Sequence, residues 1–175
     1  MRVIISWAAM LLVAVACLPA QPPRAPQNQF RFRLVGPAVG NRISAVAGVP
    51  GDPTVYYAGA ASGGVWKSVD GGENWRPIFD SQPVAAIGAL AVSASNPNIV
   101  WAGTGEAWAI RDSDLMGNGI YKSTDAGKHW NHSGLDETGR IGRIIVDPAN
   151  SQIVYVCALG RLTGPQQERG EDRDC

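Results

Sequence analysis

An internal repeat constrains the fold of this 175-residue chain more than any other feature of its sequence. The segment 62–75, SGGVWKSVDGGENW, recurs at 117–130 as GNGIYKSTDAGKHW. A second element starts at Ile43, Ile87 and Ile141, and each copy is followed by a turn and an aromatic β-type run. Self-similarity at a period of about 40–50 residues is typical of architectures that stack one supersecondary unit on the next. The chain is therefore predicted to be a repeat protein.

Each repeat is predicted to contain four short β-strands. The apolar runs are rich in Val, Ile, Tyr and Trp, and Gly, Pro, Asn and Asp bound them, a pattern typical of strands joined by turns. No segment after residue 20 shows a sustained apolar period of about 3.6 residues, which a helix would need. A four-stranded unit of this length is the size of a propeller blade. The predicted fold is an all-β propeller with about two and a half blades, and a flat β-sandwich is the alternative.

The two copies of the first repeat element share the turn pattern Ser-x-Asp-x-Gly-x-x-Trp. It comprises Ser68, Asp70, Gly72 and Trp75 in one copy, and Ser123, Asp125, Gly127 and Trp130 in the other. We expect the aspartate to accept hydrogen bonds from backbone N–H groups two or three residues further on. The glycine permits a positive φ, and the tryptophan starts the next strand and packs on the hairpin. These residues are predicted to be structural, with no catalytic or metal-binding role.

This turn pattern resembles the Asp-box, or bacterial neuraminidase repeat, of sortilin-like β-propellers, which are common in secreted bacterial proteins often labelled glycosyl hydrolases. The likeness spans residues 30–170 and includes GTGE at 103–106 and GPQQERG at 164–170. Asn74 and His129 stand where the family usually has threonine. The resemblance implies a propeller whose Asp-box residues stabilise turns.

The chain is predicted to divide into a leader, a linker, the blades and a tail. These are a signal peptide at 1–20, a Pro-rich linker with an N-terminal strand at 21–41, blade 1 at 42–78, blade 2 at 79–134, a partial blade 3 at 141–170 and a charged tail at 171–175. The apolar run of the leader is about 13 residues long, whereas a membrane span needs about 20. We therefore expect export to the periplasm or the extracellular space. A lipid on Cys17, the alternative, would anchor the protein to a membrane.

The third repeat departs from the other two after Gly170. The resembled family would continue there with an aromatic residue, a basic residue and another Asp-box, whereas this sequence reads EDRDC. Four charges in five residues do not suit a buried strand. We expect a truncated or frame-shifted product, or a fragment, that lacks blades and self-associates. The alternative is a natural short form that needs partner blades.

The loop between the second and third strands of the second repeat is the best candidate for ligand binding. It is 11 residues longer than its counterpart in the first repeat, because the two repeat elements recur at offsets of 55 and 44 positions. Its candidate binding residues are Glu106, Trp108, Arg111, Asp112 and Asp114. Loops held by a rigid scaffold often carry recognition, and these side chains suit a sugar or a peptide. The predicted ligand is a protein or a carbohydrate, and the alternative is a loop whose salt bridges satisfy one another.

Glycoside hydrolysis, of the xyloglucanase or sialidase type, is the alternative function. Resemblance to the xyloglucan-type hydrolases implies a catalytic aspartate just before a Gly-Gly pair, and that position is Ala61 in this sequence. Inverting hydrolysis needs two carboxylates about 6.5–9.5 Å apart, and the sequence offers no matching pair. We assign no catalytic residue and expect such a fragment to be inactive as it stands.

The composition also argues against nucleic-acid binding and against a metal site. Fifteen Lys and Arg residues balance 15 Asp and Glu residues, and this net charge of zero argues against nucleic-acid binding. No metal-ligand spacing is present, and no cofactor is predicted.

Overall fold

The computed structural model describes residues 33–39, 42–107 and 116–161, so the predicted signal peptide and charged tail lie outside the described residues. The chain divides into two compact units, 1–34 and 35–175, and the described strands belong to the second. In chain order they are β1 (Ile43–Val49), β2 (Asp52–Ala60), β3 (Val65–Ser68), β4 (Arg76–Pro77), β5 (Ile87–Val92), β6 (Val100–Thr104), β7 (Ile120–Ser123), β8 (Asn131–His132), β9 (Ile141–Val146) and β10 (Val154–Ala158). Within the described ranges no helix is long and apolar enough to cross a membrane.

The strands form antiparallel sheets that repeat one topology. The first sheet has the order β1-β2-β3-β4, the second has the order β5-β6-β7-β8, and β9 pairs with β10 in the third. Four consecutive strands, each beside its predecessor, make a propeller blade. The predicted all-β propeller is confirmed, with two four-stranded blades and the first two strands of a third among the described residues.

The register of the hairpins shows which residues are equivalent in the three sheets. Ile43 pairs with Ala60, Ile87 with Thr104 and Ile141 with Ala158. Residues of the second sheet are therefore 44 positions after their counterparts in β1 and β2, and those of the third are a further 54 positions on. The repeat read from the sequence is thus a repeat in space.

The hydrophobic core lies between successive sheets. Ile87 and Leu90 of β5 share one cluster with Tyr57 of β2. Ile141 and Ile144 of β9 belong to a second cluster, against which Trp101 of β6 packs. The first strands of the second and third sheets, β5 and β9, thus pack on the first two strands of the sheet before them.

Two glycines allow this close packing. A Cβ added at Gly59 on β2 would lie 2.5 Å from Cγ2 of Ile87, and a Cβ at Gly103 on β6 would lie 2.5 Å from Cγ2 of Ile141. Both distances are well below a normal carbon–carbon contact of about 3.5–4.0 Å. The third equivalent position, on β10, is Cys157. Glycine is therefore required where a following sheet is seated.

Exposed apolar residues mark the sheet faces that no described sheet covers. Val46 of β1 is 75% exposed, although its counterpart Leu90 is buried against the first sheet. Tyr155 of β10 is 64% exposed, whereas its counterpart Tyr57 is fully buried under the second sheet. The same repeat positions are thus core in one sheet and surface in another, depending only on whether a neighbour is present.

The outer strand of each complete blade is short. β4 and β8 have two residues each, and Trp75 and Trp130 lie immediately before them. Each tryptophan was expected to start the strand, whereas β4 and β8 begin one residue later; the expected packing of its ring on the hairpin is present, beside the turn glycine.

Substitution of Gly103 by alanine should destabilise the fold. The new Cβ overlaps Ile141, and overpacking of this kind typically costs about 1–3 kcal/mol. Urea titration followed by tryptophan fluorescence would measure the loss. Gly36→Ala is the matched control, because nothing lies within 4 Å of a Cβ at Gly36. Equal midpoints for the two variants would contradict this account of the core.

Candidate functional site

The predicted binding loop is fixed at both ends by hydrogen bonds to buried groups. Thr104 is fully buried, and its hydroxyl donates to the carbonyl of Gly119 at 2.6 Å. The same hydroxyl oxygen accepts the N–H of Asn118 at 2.9 Å. The N–H of Gly117 donates to the carbonyl of Gly139 at 2.7 Å. The loop therefore leaves and rejoins a rigid base.

Glu106, at the start of this loop, forms an ion pair with Arg42. Glu106 is 5% exposed, and Nε and Nη2 of Arg42 each donate to one of its carboxylate oxygens. A bidentate pair of this type is among the strongest charge-assisted contacts in proteins. The carbonyl of Arg42 also accepts the N–H of Ala61 at 3.0 Å. The pair therefore joins the start of β1 to the loop of the second sheet.

The other predicted binding residues, Trp108, Arg111, Asp112 and Asp114, lie outside the described residues. Their role in binding stays a prediction, and so does any direct contact of Glu106 with a ligand. Arg42 was missed in the sequence because it is 64 positions from its partner.

The position at which a hydrolase would carry its catalytic aspartate holds a small buried side chain. Ala61 is fully buried, and its N–H is bonded within the scaffold. Glu106 is a buried carboxylate at the start of the binding loop, and both of its oxygens accept hydrogen bonds from the Arg42 guanidinium. Both oxygens of this carboxylate are therefore engaged by Arg42.

The turn at 68–75 is built around a buried serine. Ser68 is 1% exposed; its hydroxyl accepts the N–H of Gly72 at 2.9 Å and donates to Oδ1 of Asp70 at 2.8 Å. Asp70 is exposed and accepts both the backbone N–H of Asn74 at 2.9 Å and its side-chain amide at 2.7 Å. The serine is therefore the buried acceptor of the turn.

The turn at 123–130 has the same geometry. Ser123 accepts the N–H of Gly127 at 2.8 Å, and Asp125 accepts the N–H of His129 at 2.9 Å. Each aspartate was expected to accept an N–H two or three residues on. The N–H at 2.9 Å is four residues on in both turns, and Asp70 also accepts the N–H of Glu73, three residues on. The positive φ expected for the glycines is present, at 92° for Gly72 and 88° for Gly127.

The second turn also connects two sheets. The Tyr57 hydroxyl and the Lys67 ammonium, both on the first sheet, donate to the carbonyl of Ala126 at 3.2 and 2.9 Å. The indole N–H of Trp130 donates back to the carbonyl of Ile78 at 2.8 Å. Burial raises the pKa of Tyr57 to about 12, so its hydroxyl remains a donor. The turn is therefore part of the packing between blades.

An apolar cavity of about 310 Å³ lies beside the first turn. It is lined by Val35, Val46, Tyr56, Tyr57, Gly71, Gly72 and Trp75. The equivalent place beside the second turn is filled, because Ile78 and Tyr57 lie against Gly127 there. The cavity thus lies where, beside the second turn, side chains of the neighbouring sheet pack, and no described sheet fills it.

The described residues contain no group of three or more His, Cys, Asp and Glu side chains that could hold a metal ion.

Comparison with known proteins shows a likeness in fold. No family model and no curated protein matches the chain. The chain is similar to a solved GH74 enzyme of Niastella koreensis, with 22% identity, a TM-score of 0.52, and coverage of 66% of this chain and 17% of that one. It is also similar to an ancestral GH74 enzyme, with 23% identity, a TM-score of 0.55, and coverage of 73% and 17%.

A GH74 xyloglucanase from Xanthomonas campestris matches with 16% identity and a TM-score of 0.38, covering 69% of this chain and 28% of that one. The chain spans 17% of the length of the first two enzymes. The likenesses to those two enzymes support the propeller fold.

Replacement of Ser123 by alanine should destabilise the protein by about 1–3 kcal/mol, because the buried N–H of Gly127 loses its acceptor. The free energy of unfolding from urea titration measures this loss. Ser81→Ala is the control, since Ser81 is exposed and its hydroxyl accepts a hydrogen bond from the side-chain amide of Gln82 on the surface. It should change stability by no more than about 0.5 kcal/mol. Equal losses in the two variants would show that the serine does not hold the turn.

The turn aspartates should make stability fall in acid. The N–H and amide of Asn74, followed by the Ser68 hydroxyl, lower the pKa of Asp70 from 3.8 to about 2. The N–H and the ring of His129 hold the pKa of Asp125 well below its usual range. A lowered carboxylate pKa stabilises the folded state only while the group is ionised, so this stabilisation is present above about pH 4 and is lost towards pH 2.

Asp70→Asn should therefore weaken the dependence of the urea midpoint on pH between about pH 4 and pH 2. Titrations of the wild-type chain and the variant at several pH values measure the two slopes. The same slope in both would rule out Asp70 as a source of acid sensitivity.

Proposed function

We propose that this protein is an exported β-propeller module that binds a carbohydrate or protein ligand through the loop at 104–118. The observation that carries the proposal is the anchoring of this loop. Its start is held by the Arg42–Glu106 ion pair, and its return is held by Thr104 and Gly139. The described ends of the loop are thus fixed to the scaffold, and loops held by a rigid scaffold often carry recognition.

The chemistry of the loop favours a polyhydroxylated or peptide ligand. Trp108 would supply a flat apolar face for a sugar ring or an aromatic side chain. Arg111, Asp112 and Asp114 would supply donors and acceptors for hydroxyl groups or for a peptide backbone. Glu106 contributes to the anchor, so the ligand contacts fall to the residues that follow it.

Membership of the Asp-box, sortilin-like propellers is part of the same proposal. The two turns support it, because their serine, aspartate, glycine and tryptophan form one hydrogen-bonded arrangement in both copies. Export to the periplasm or the extracellular space rests on the apolar leader at 1–20. Lipidation of Cys17 would make the same module membrane-anchored.

Titration of the full chain with xyloglucan oligosaccharides and with a peptide array tests the binding proposal. Trp108→Ala and Arg111→Ala should each weaken binding by about tenfold or more, which corresponds to the loss of one good contact. Arg76→Ala, at an exposed residue of the outer strand β4, is the control and should leave affinity unchanged. Binding that is insensitive to both loop variants would refute the loop as the site.

Glycoside hydrolysis remains the second candidate, and the likeness to GH74 enzymes favours it. Against it, Ala61 stands where the resembled hydrolases carry a catalytic aspartate, and Glu106 is occupied by Arg42. Incubation of the full chain with xyloglucan, followed by assay of new reducing ends, separates the two functions. Saturable binding without new reducing ends supports a binding module, and release of reducing ends supports a hydrolase.

A further inference from the structure

Asn118, the last residue of the 104–118 loop, is held through its backbone and its side chain. Its N–H donates to the hydroxyl oxygen of Thr104 at 2.9 Å, and its side-chain amide donates to the Tyr121 hydroxyl at 2.9 Å. Its carbonyl lies 2.7 Å from Nε2 of His132 on β8. Since a carbonyl oxygen can only accept, Nε2 of His132 carries a proton and is the donor. The return end of the loop is therefore fastened to three strands of the second sheet.

The equivalent carbonyl in the first blade has a different donor. Register places three residues of the first sheet at the positions of Asn118, Tyr121 and His132, and these are Gly63, Trp66 and Pro77. The carbonyl of Gly63 accepts the indole N–H of Trp66 at 2.7 Å. Tyr121 has no such N–H, and its hydroxyl bonds to the side chain of Asn118. His132 thus supplies the donor that tryptophan supplies in the first blade, from a position where that blade has proline.

This change replaces a permanent donor with one that titrates. The indole of tryptophan is a donor only and keeps its proton, whereas histidine changes its charge between about pH 5 and 8. The replacement lies at the return of the longer loop, and the shorter loop of the first blade keeps tryptophan. The anchor of the longer loop therefore depends on a group that exchanges a proton with the solvent.

Protonation of the His132 ring adds a second polar contact. Nδ1 lies 3.7 Å from Oδ1 of Asp136, and the two side chains are 31% and 75% exposed. The ring also packs edge to face on the phenol of Tyr121, with 5.0 Å between ring centres. Nδ1 of the neutral ring has no proton to offer Asp136, whereas the imidazolium has one for each of its two oxygen partners. The charged ring is also the stronger donor to the Asn118 carbonyl.

We propose that His132 is a positioning residue for the 104–118 loop, which it fixes through the carbonyl of Asn118 and fixes more firmly when its ring is protonated. Ligand binding by the loop is therefore regulated by pH, and this consequence rests on the proposed function of the loop. The anchoring itself is measurable without any ligand, so the two proposals stand or fall separately.

Amide hydrogen exchange of the ¹⁵N-labelled full chain measures the anchoring. The N–H groups of Gly117 and Asn118 donate to the carbonyl of Gly139 and to the hydroxyl of Thr104, so their protection reports on the return end of the loop. After correction for the intrinsic exchange rate at each pH, both amides should be about two- to fivefold more protected at about pH 5.5 than at about pH 8. This is the effect expected of an exposed ion pair.

Variants of His132 separate positioning from a general effect on folding. His132→Ala should lower the protection of Gly117 and Asn118 about fivefold or more at both pH values, because the carbonyl loses its donor. The amide of Gly72, which donates to Ser68 in the first blade, is the internal reference and should not change. His132→Gln keeps a side-chain N–H that cannot gain a proton, so it should restore protection and remove the dependence on pH.

Two further variants test the role of charge. Asp136→Asn removes the carboxylate that faces Nδ1 and should reduce the pH dependence while the bond to Asn118 remains. His129→Gln, at the other of the two histidines in the sequence, is the matched control and should leave the pH dependence at Asn118 unchanged. Nitrogen chemical shifts of the neutral His132 ring should show the proton on Nε2.

Four results would overturn the proposal. They are equal protection of the loop end in His132→Ala and the wild-type chain, an equal loss at Gly72, a pH dependence that persists in His132→Gln, and a neutral ring with its proton on Nδ1. Binding of xyloglucan oligosaccharides is assayed separately. If the wild-type chain does not bind them, the proposed function of the loop loses support, while the exchange data still decide the role of His132.

Discussion

The contact between an isoleucine and a glycine on successive sheets is the constraint on which the rest of this structure depends. Ile87 seats against Gly59, and Ile141 seats against Gly103, at distances that leave no room for a Cβ. This contact sets how closely two sheets approach, and so decides which other side chains meet. Tyr57 reaches the turn of the next blade only because the sheets lie so close. Repetition of one steric fit thus generates the architecture.

In each serine–aspartate turn the buried serine and the more exposed aspartate have different roles. Ser68 and Ser123 satisfy an N–H that water cannot reach, while Asp70 and Asp125 close the turn from the solvent side. Each aspartate also accepts the hydroxyl of its serine. The serine hydroxyl is therefore oriented with its lone pairs toward the buried N–H. In the second turn, the carbonyl of Ala126 accepts from Tyr57 and Lys67 of the first sheet, so this turn belongs to the packing between blades.

The sequence repeat predicted the fold, whereas the side-chain contacts between residues far apart in the sequence could not be predicted. The strands, their order and the glycines with positive φ follow from local patterns, because turns and hairpins are set by neighbouring residues. The Arg42–Glu106 ion pair joins residues 64 positions apart, and the sequence holds no local signal for it. The donors of Tyr57 and Lys67 were missed for the same reason. The turn aspartates were placed correctly, but their acceptor geometry depends on the backbone path of the turn.

Residues that have no equivalent in the neighbouring repeat are the ones whose role the packing between blades does not explain. Most residues of one sheet have a counterpart with the same role in the next, and such residues serve the stacking of the blades. The Arg42–Glu106 pair has no such counterpart one repeat later, where the register places Ala86 and Gly160 at the equivalent positions. Only the Glu106 side of this contact is buried, and a buried carboxylate is costly unless a cation holds it, as Arg42 does here. It occurs where one loop is 11 residues longer than its counterpart, so its structural effect is to hold that single insertion in place.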